Sequence, residues 1–253
     1  MSVKLTIEPK VTLSYPSAKE FTYILKSVAE LVEEVSFRVE SDGLKLKALD
    51  PGRIAMLTVT LPPEAFQEFQ VSEPTNIGLS VGNLIKVLKH LRKNDRVTIA
   101  ANEEYVEIII EGTSVRRYKF RNIEVLSEEI PELNVEYDVE GSVLVGPLRN
   151  AISELSNLTD TIGVSVREEA IVMYDYDTKK TQYRFSSTTG TLISLSIKKS
   201  CEVAFDSEYL SKIVDILRLG SVADIRFGSE APLNIEITMS AGGRAQYFLA
   251  AKV

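Results

Sequence analysis

The chain has 253 residues, 44% hydrophobic and 26% charged, with a net charge of −7. This is the composition of a soluble globular protein long enough for two domains, each able to bury its own core. No apolar run approaches the ~20 residues of a membrane span, the opening MSVKLTIEPK holds no apolar leader, and the single cysteine, Cys201, excludes an internal disulfide framework. A cytoplasmic protein with no membrane partner is expected. The acidic balance argues against general affinity for nucleic acid, because phosphate contacts need Lys or Arg. The average hides one basic stretch, however: Lys86, Lys89, Arg92, Lys93 and Arg96 against the single acid Asp95, enough for a local positive field.

In chain order, Ser17 to Val32 places Phe21, Ile24, Leu25, Val28, Leu31 and Val32 at steps of three and four. That spacing predicts an amphipathic helix, with Ser17 as N-cap and Glu20 as its capping-box partner. Lys19, Tyr23 and Lys26 fall on its polar side. Val35 to Val39 alternates, Ser41-Asp42-Gly43 turns, and Leu44 to Ala48 returns as the second strand of a hairpin. Asp50-Pro51-Gly52 is a further turn, before a strand from Ile54 to Leu61. Ser80 to Leu91 predicts a second helix that buries Leu84, Val87, Leu88 and Leu91 and carries Lys86, Lys89 and Lys93 on its other side. Strands are predicted from Arg96 to Ala100, Tyr105 to Glu111 and Val115 to Arg121.

Asn122 to Tyr137 holds five Glu among isolated apolar residues, is broken by Pro131, and follows neither a strand nor a helix period. It reads as an extended connector. The plan then repeats: a helix near Pro147 to Leu158, strands to Ser187, a helix near Ser207 to Leu219, and strands to the end with a turn at Gly242-Gly243. Direct comparison supports a duplication. Leu31, Val35, Phe37, Val39, Leu44 and Leu46 match Leu158, Ile162, Val164, Val166, Ile171 and Met173, about 127 residues on. That period is far above the roughly 20–50 residues of solenoid repeats. The domains are expected at 1–121 and 138–253, joined by the connector 122–137. The class is α+β: two similar domains, each a curved antiparallel sheet with two helices.

Catalytic chemistry is poorly provided for. The only histidine, His90, lies in the basic stretch, so a Ser-His-Asp arrangement has no other candidate. Zinc-ligand spacing and nucleotide-binding glycine motifs are absent. Tyr174-Asp175-Tyr176-Asp177 offers two carboxylates, but their alternation on a strand leading to a turn reads as a solvated face. No catalytic residue, metal or cofactor is expected.

Several segments carry a resemblance. The run Ala48 to Leu57 (ALDPGRIAML), the acidic Glu128-Glu129-Ile130-Pro131-Glu132, the run Phe227 to Leu233 (FGSEAPL) and the terminal Tyr247 to Val253 (YFLAAKV) resemble segments of sliding clamps. Their order and spacing agree from about Leu13 to Val253, and the chain is most similar to the archaeal proliferating cell nuclear antigen family. The resemblance implies a processivity factor without enzymatic activity: a ring of three subunits with pseudo-sixfold symmetry, helices lining a hole around duplex DNA. It further implies sister clamp subunits, identical or not, and a clamp loader. DNA polymerase, flap endonuclease and DNA ligase would dock through short hydrophobic peptides.

Carried onto this chain, the peptide pocket would comprise Leu49, Arg53 and Ile54, then Leu126, Ile130 and Pro131 from the connector, then Pro232, Phe248, Ala250 and Ala251. Arg53 stands where the family often has histidine, and Ala251 where proline is usual. The DNA channel would be lined by Lys19, Lys26, Lys86, Lys89, Arg92, Lys93, Arg149, Lys212 and Arg218. Positions often basic in the family are here Thr22, Tyr23, Ala29, Asn150, Ser153, Glu208 and Asp215, so a weak grip on DNA is expected. Neighbouring subunits would meet through Ile108 to Tyr118 (Ile108, Ile110, Ser114, Arg116 and Tyr118) and Lys179 to Phe185 (Lys180, Gln182 and Arg184). A rival reading is a clamp-shaped interaction scaffold that does not encircle DNA, which Glu208 and Asp215 favour.

Overall fold

The computed structural model describes residues 4–125 and 135–252. Leu126, Ile130 and Pro131, expected in the pocket, lie outside the described residues, as does Glu128-Glu129. The described residues form two compact units, one of 4–48, 58–125 and 240–243, the other of 49–57, 135–239 and 244–252. The segment 49–57 thus belongs with the second repeat although it lies within the first by sequence.

In the first unit the elements run β1 (Val11–Tyr15), α1 (Ala18–Ala29), β2 (Glu34–Glu40), β3 (Gly43–Leu49), β4 (Ala55–Leu61), β5 (Glu68–Val71), β6 (Thr75–Ser80), α2 (Val81–Val87), β7 (Arg96–Ala101), β8 (Tyr105–Glu111) and β9 (Val115–Arg121). One antiparallel sheet has the order β5-β1-β7-β8-β9; a second has β4-β3-β2-β6, with β4 contributing its residues 58–61. The helix α1 forms where the apolar steps predict it. Ser17 Oγ accepts from Glu20 N at 3.2 Å, satisfying one of the donors that a helix start leaves free. Phe21, Ile24, Leu25 and Val28 are buried. Phe21 lies between Tyr15 (ring centroids 5.6 Å apart) and Phe37 (6.3 Å), which fixes the helix against strands of both sheets. The β2–β3 turn depends on Gly43. Its φ is +143°, and a β-carbon there would come within 2.4 Å of Leu61 O, so no other residue fits.

In the second unit the elements run β10 (Val139–Leu144), α3 (Val145–Ser156), β11 (Thr161–Arg167), β12 (Ala170–Asp175), β13 (Gln182–Phe185), β14 (Leu192–Ile197), β15 (Glu202–Asp206), α4 (Ser207–Ser211), β16 (Val222–Gly228), β17 (Ala231–Thr238) and β18 (Arg244–Leu249). Its sheets have the orders β13-β12-β11-β15 and β14-β10-β16-β17-β18-β4, where β4 contributes residues 55–57. The duplication is visible in the backbone. Shifted by 127 residues, α1 falls on α3 and β2 on β11 with the same bounds. By the same shift β13 is the counterpart of β4, and β18 of β9.

Three expectations need correction. The second helix does not reach Leu91: α2 ends at Val87, Leu88 N closes it on Leu84 O at 3.1 Å, and His90 takes a left-handed φ of 57°. Beyond that point Asp95 organises the chain. Its carboxylate accepts from Arg92 N (3.1 Å) and Arg116 Nη2 (3.2 Å), and its carbonyl from Ala18 N (2.7 Å). Likewise α4 stops at Ser211, and Ile216–Leu219 is a separate 3₁₀ turn. Finally, Ile108 to Tyr118 is two strands. β8 is hydrogen-bonded on both sides, to β7 and β9, and Ile108 and Ile110 are 1% and 0% exposed. They are core residues and cannot meet a neighbour.

Candidate docking loop, cationic surface and free sheet edges

The 49–57 segment is held by one carboxylate. Asp50, 3% exposed, accepts from Gly52 N (2.9 Å, Oδ2), Ile54 N (2.7 Å, Oδ1) and Ala55 N (2.6 Å, Oδ1). A fourth donor comes from α4: Tyr209 Oη at 3.1 Å. These bonds force a tight turn in which Arg53 adopts φ 56°, a left-handed conformation that costs a non-glycine residue about 1 kcal/mol. The turn presents Ile54, 38% exposed, and half-buried Leu49. Ala250 N donates to Ile54 O at 2.9 Å, so the end of β18 and this turn form one surface. Phe248 lies opposite Asn234 in the β17–β18 ladder. By strand alternation Pro232, Phe248 and Ala250 share a face, and Phe248 and Ala251 are half-buried. The structure therefore brings together Leu49, Arg53, Ile54, Pro232, Phe248, Ala250 and Ala251 within the second unit.

Sequence reading placed Asp50 in a turn and in the clamp-like run Ala48 to Leu57 but gave its side chain no role, and it did not single out Tyr209. One signal was available, since Tyr209 takes the place that Asn83 holds in the first repeat. Tyr209 is itself anchored. Its carbonyl accepts from Tyr247 Oη at 2.7 Å, and its ring carries the Lys212 ammonium 4.0 Å from the centroid. Desolvation first, and the bond to Asp50 second, raise its phenol pKa. Burial raises that of Tyr247 more strongly.

The cationic residues divide differently between the units. In the first, Lys19 and Lys26 are exposed on α1, one helical face apart at i and i+7, and Lys86 is exposed on α2, which packs beside α1. Lys89, Arg92 and Lys93 are exposed too, but in the loop after α2 and not on a helix face. In the second unit Arg149 is half-buried on α3, Lys212 ends α4 with its charge over Tyr209, and Arg218 Nε pairs with Asp215 Oδ1 at 3.1 Å. Exposed Glu208 stands beside them. Of the cations expected in the channel, most of the exposed ones therefore lie on the first unit.

In the Tyr174 to Asp177 run Asp177 is exposed, as a solvated face requires, but Asp175 is not. Asp175 is 7% exposed and caps the following turn, accepting from Thr178 Oγ1, from Thr178 N (3.3 Å) and from Asp177 N (3.2 Å). The Thr178 hydroxyl is the main cause of its lowered pKa. Among the described residues no group of three or more His, Cys, Asp or Glu side chains is placed to hold a metal ion.

Among the described residues β9 and β13 are each the outermost strand of a sheet, β9 bonded only to β8 and β13 only to β12. Of the expected interface residues, Ser114 is exposed in the turn before β9, and Arg116 and Tyr118 are half-buried on it. Gln182 and Arg184 are exposed on β13, and Lys180 is exposed just before it.

Two repeats of a helix pair on antiparallel sheets, with a turn-bound apolar surface, define the DNA-clamp class of fold. Residues 13–132 match the family described as proliferating cell nuclear antigen, N-terminal domain. The chain is 30% identical over 245 residues to a DNA polymerase sliding clamp of Thermofilum pendens, covering 96% of this chain and 99% of that protein. It is 31% identical over 240 residues to DNA polymerase sliding clamp 1 of Sulfurisphaera tokodaii, covering 94% and 98%. Among solved structures, a complex of PCNA2 and PCNA3 from Sulfolobus tokodaii superposes with a TM-score of 0.90 at 23% identity, covering 95% of this chain and 99% of that one. The chain belongs to the proliferating cell nuclear antigen family of DNA sliding clamps.

Proposed function

We propose that the protein acts as one subunit of a ring-shaped DNA sliding clamp that encircles duplex DNA and tethers a DNA polymerase to it. The carrying observation is the near full-length similarity to sliding clamps together with the duplicated clamp fold. The family is one of non-catalytic processivity factors, so the action lies in topology and in docking. The ring is built of three chains, this one with copies of itself or with sister clamp subunits, joined through β9 of one and β13 of the next. Lys19, Lys26 and Lys86, helped by the loop cations Lys89, Arg92 and Lys93, face the phosphates. Arg149, Lys212 and Arg218 add less, because ring and carboxylate partners engage two of them. Contacts of this kind are sequence-independent and salt-sensitive, which suits sliding.

The turn around Asp50 and the adjoining Pro232, Phe248, Ala250 and Ala251 receive short hydrophobic peptides of client enzymes, including polymerase, clamp loader, flap endonuclease and ligase. Leu126, Ile130 and Pro131 complete this pocket in the reading. The test is processive synthesis on primed circular DNA with a clamp loader, using this chain alone and with candidate sister subunits. Long products that depend on the chain are expected. A second reading, a scaffold that does not surround DNA, is favoured by the acids beside Lys212 and Arg218. Client binding without polymerase stimulation in any subunit combination would establish that reading instead.

A further inference from the structure

The connector begins on a side-chain staple. Strand β9 ends at Arg121, and the next residue, Asn122, is half-buried. Its Oδ1 accepts from Gly78 N at 2.8 Å, and its Nδ2 donates to Asn76 O (2.9 Å) and Asn102 O (2.7 Å). Its backbone N donates to Glu104 O at 2.8 Å, and Ile123 N donates to Gly78 O at 3.1 Å. One residue is therefore tied both to strand β6 and to the turn between β7 and β8. The three side-chain bonds need one acceptor and two donors, which a neutral amide supplies and a carboxylate does not. Gly78 gives the staple room, because a β-carbon there would overlap Ile123 O.

The second repeat shows what the staple is not needed for. There β15 is the counterpart of β6, and Lys252 N donates to Ala204 O at 2.8 Å, as Ile123 N does to Gly78 O. The residues standing where Asn122 and Gly78 do are Ala251 and Ala204. Alanine has no side-chain bond to make, yet the backbone bond to the strand is kept. The amide staple is thus an addition of the first repeat, and what it holds is the start of the connector. Leu126, four residues on, can lie at most about 14 Å from Asn122.

We propose that Asn122 is a positioning residue for client docking. With Gly78 as its seat, it fixes residues 122–125 in advance, so that a peptide meeting Leu126, Ile130 and Pro131 does not have to order them on binding. This rests on the docking site proposed above. The test uses the whole chain and, as probe, a synthetic peptide copying the hydrophobic clamp-binding segment of a DNA polymerase from the same source. Calorimetry reads affinity, hydrogen exchange reads the Ile123 amide, and urea midpoints read stability. The variants are Asn122→Asp, Asn122→Ser, Gly78→Ala, and Asn122→Asp combined with Gly78→Ala. Asn122→Asp keeps the acceptor for Gly78 N but sets a carboxylate oxygen against two carbonyls. Either Asn122 variant is expected to speed exchange at Ile123 and to weaken the peptide, each by about tenfold or more. The double variant is expected to bind no more weakly than the weaker single one, because both changes release the same segment.

A purely structural role would instead make affinity follow the urea midpoint and make the losses multiply in the double variant, and that result overturns the proposal. So does an Ile123 amide that stays protected in both Asn122 variants. Ile54→Ser, in the docking turn, separates the two levels. If it weakens the peptide while the Asn122 variants release Ile123 and keep full affinity, the positioning role is overturned and the docking site stands. If neither Ile54→Ser nor the Asn122 variants weaken the peptide, both are overturned.

Discussion

Asp50 shows how much one buried acceptor can organise. Four donors converge on its two oxygens, and hydrogen bonds to a charged group are each worth about 1.5–3 kcal/mol net. Replacing Asp50 by Ala removes them together and leaves three backbone N–H groups and a phenol without their partner. We expect Asp50→Ala to lower stability by about 3 kcal/mol, seen as a shifted urea midpoint at constant slope, and to weaken a client peptide at least tenfold by calorimetry. Tyr209→Phe removes one bond and should cost about 1.5 kcal/mol, with a smaller loss of peptide affinity. A variant that loses stability yet keeps full peptide affinity would separate the turn from docking. The Asp-Pro-Gly signature announced the turn in the sequence. The Tyr209 contribution could not be read there, because it joins residues 159 apart in sequence and no periodicity encodes such a pairing.

At the scale of the element, legibility followed local determinants. α1 was readable because its cap, its apolar steps and its tertiary packing all agree. α2 was over-extended because Leu88 and Leu91 continue the helical spacing of Leu84, while Asp95 draws Arg92 and Arg116 into a competing loop. β1 was not marked as a strand because all five of its residues are buried, so it shows no alternation. Ile108 and Ile110 were placed at an edge because the sequence does not tell which strand of a hairpin is outermost.

The turn after β12 adds a pH dependence. Asp175 has a lowered pKa in the folded chain, as does Asp138, whose main partner is Ser229 N. A carboxylate held below its ordinary value, near 4, contributes stability that is complete at neutral pH. That contribution is lost as the pH falls through the folded pKa. Melting temperatures measured from pH 6 to pH 2.5 should therefore drop steeply below about pH 4. Asp175→Asn should start lower at pH 6 and drop less. An unchanged slope in Asp175→Asn would exclude Asp175 as a contributor.

At the scale of the whole chain, the net charge of −7 and the small number of exposed cations at the proposed channel positions lead us to expect few contacts with DNA. Each phosphate contact removed should reduce the slope of log affinity against log salt by about 0.9. Lys86→Glu with Lys89→Glu, assayed in the assembled clamp, is expected to reduce the slope by up to about 2 and to impair polymerase stimulation near 0.15 M salt. Assembly mass should be unchanged. An unaltered slope would remove these two lysines from the DNA-facing surface. The duplication itself was legible from matched apolar positions, and the family from four short motifs. That segment 49–57 belongs with the second repeat was not, since chain order gives no hint of it.

Tyr209 has one more consequence. Its ring faces the ammonium of Lys212 while its hydroxyl holds Asp50. One phenol therefore touches both a cation that we propose faces DNA and the turn that we propose receives client peptides. A fluorotyrosine placed at 209 would act as a single nuclear-spin probe with two inputs. Withdrawal of the Lys212 charge by phosphate would shift its resonance through the ring face, and a peptide seated at the turn would shift it through the hydroxyl. Titrating DNA and peptide in both orders would then read out, in one spectrum, whether the two ligands sense each other.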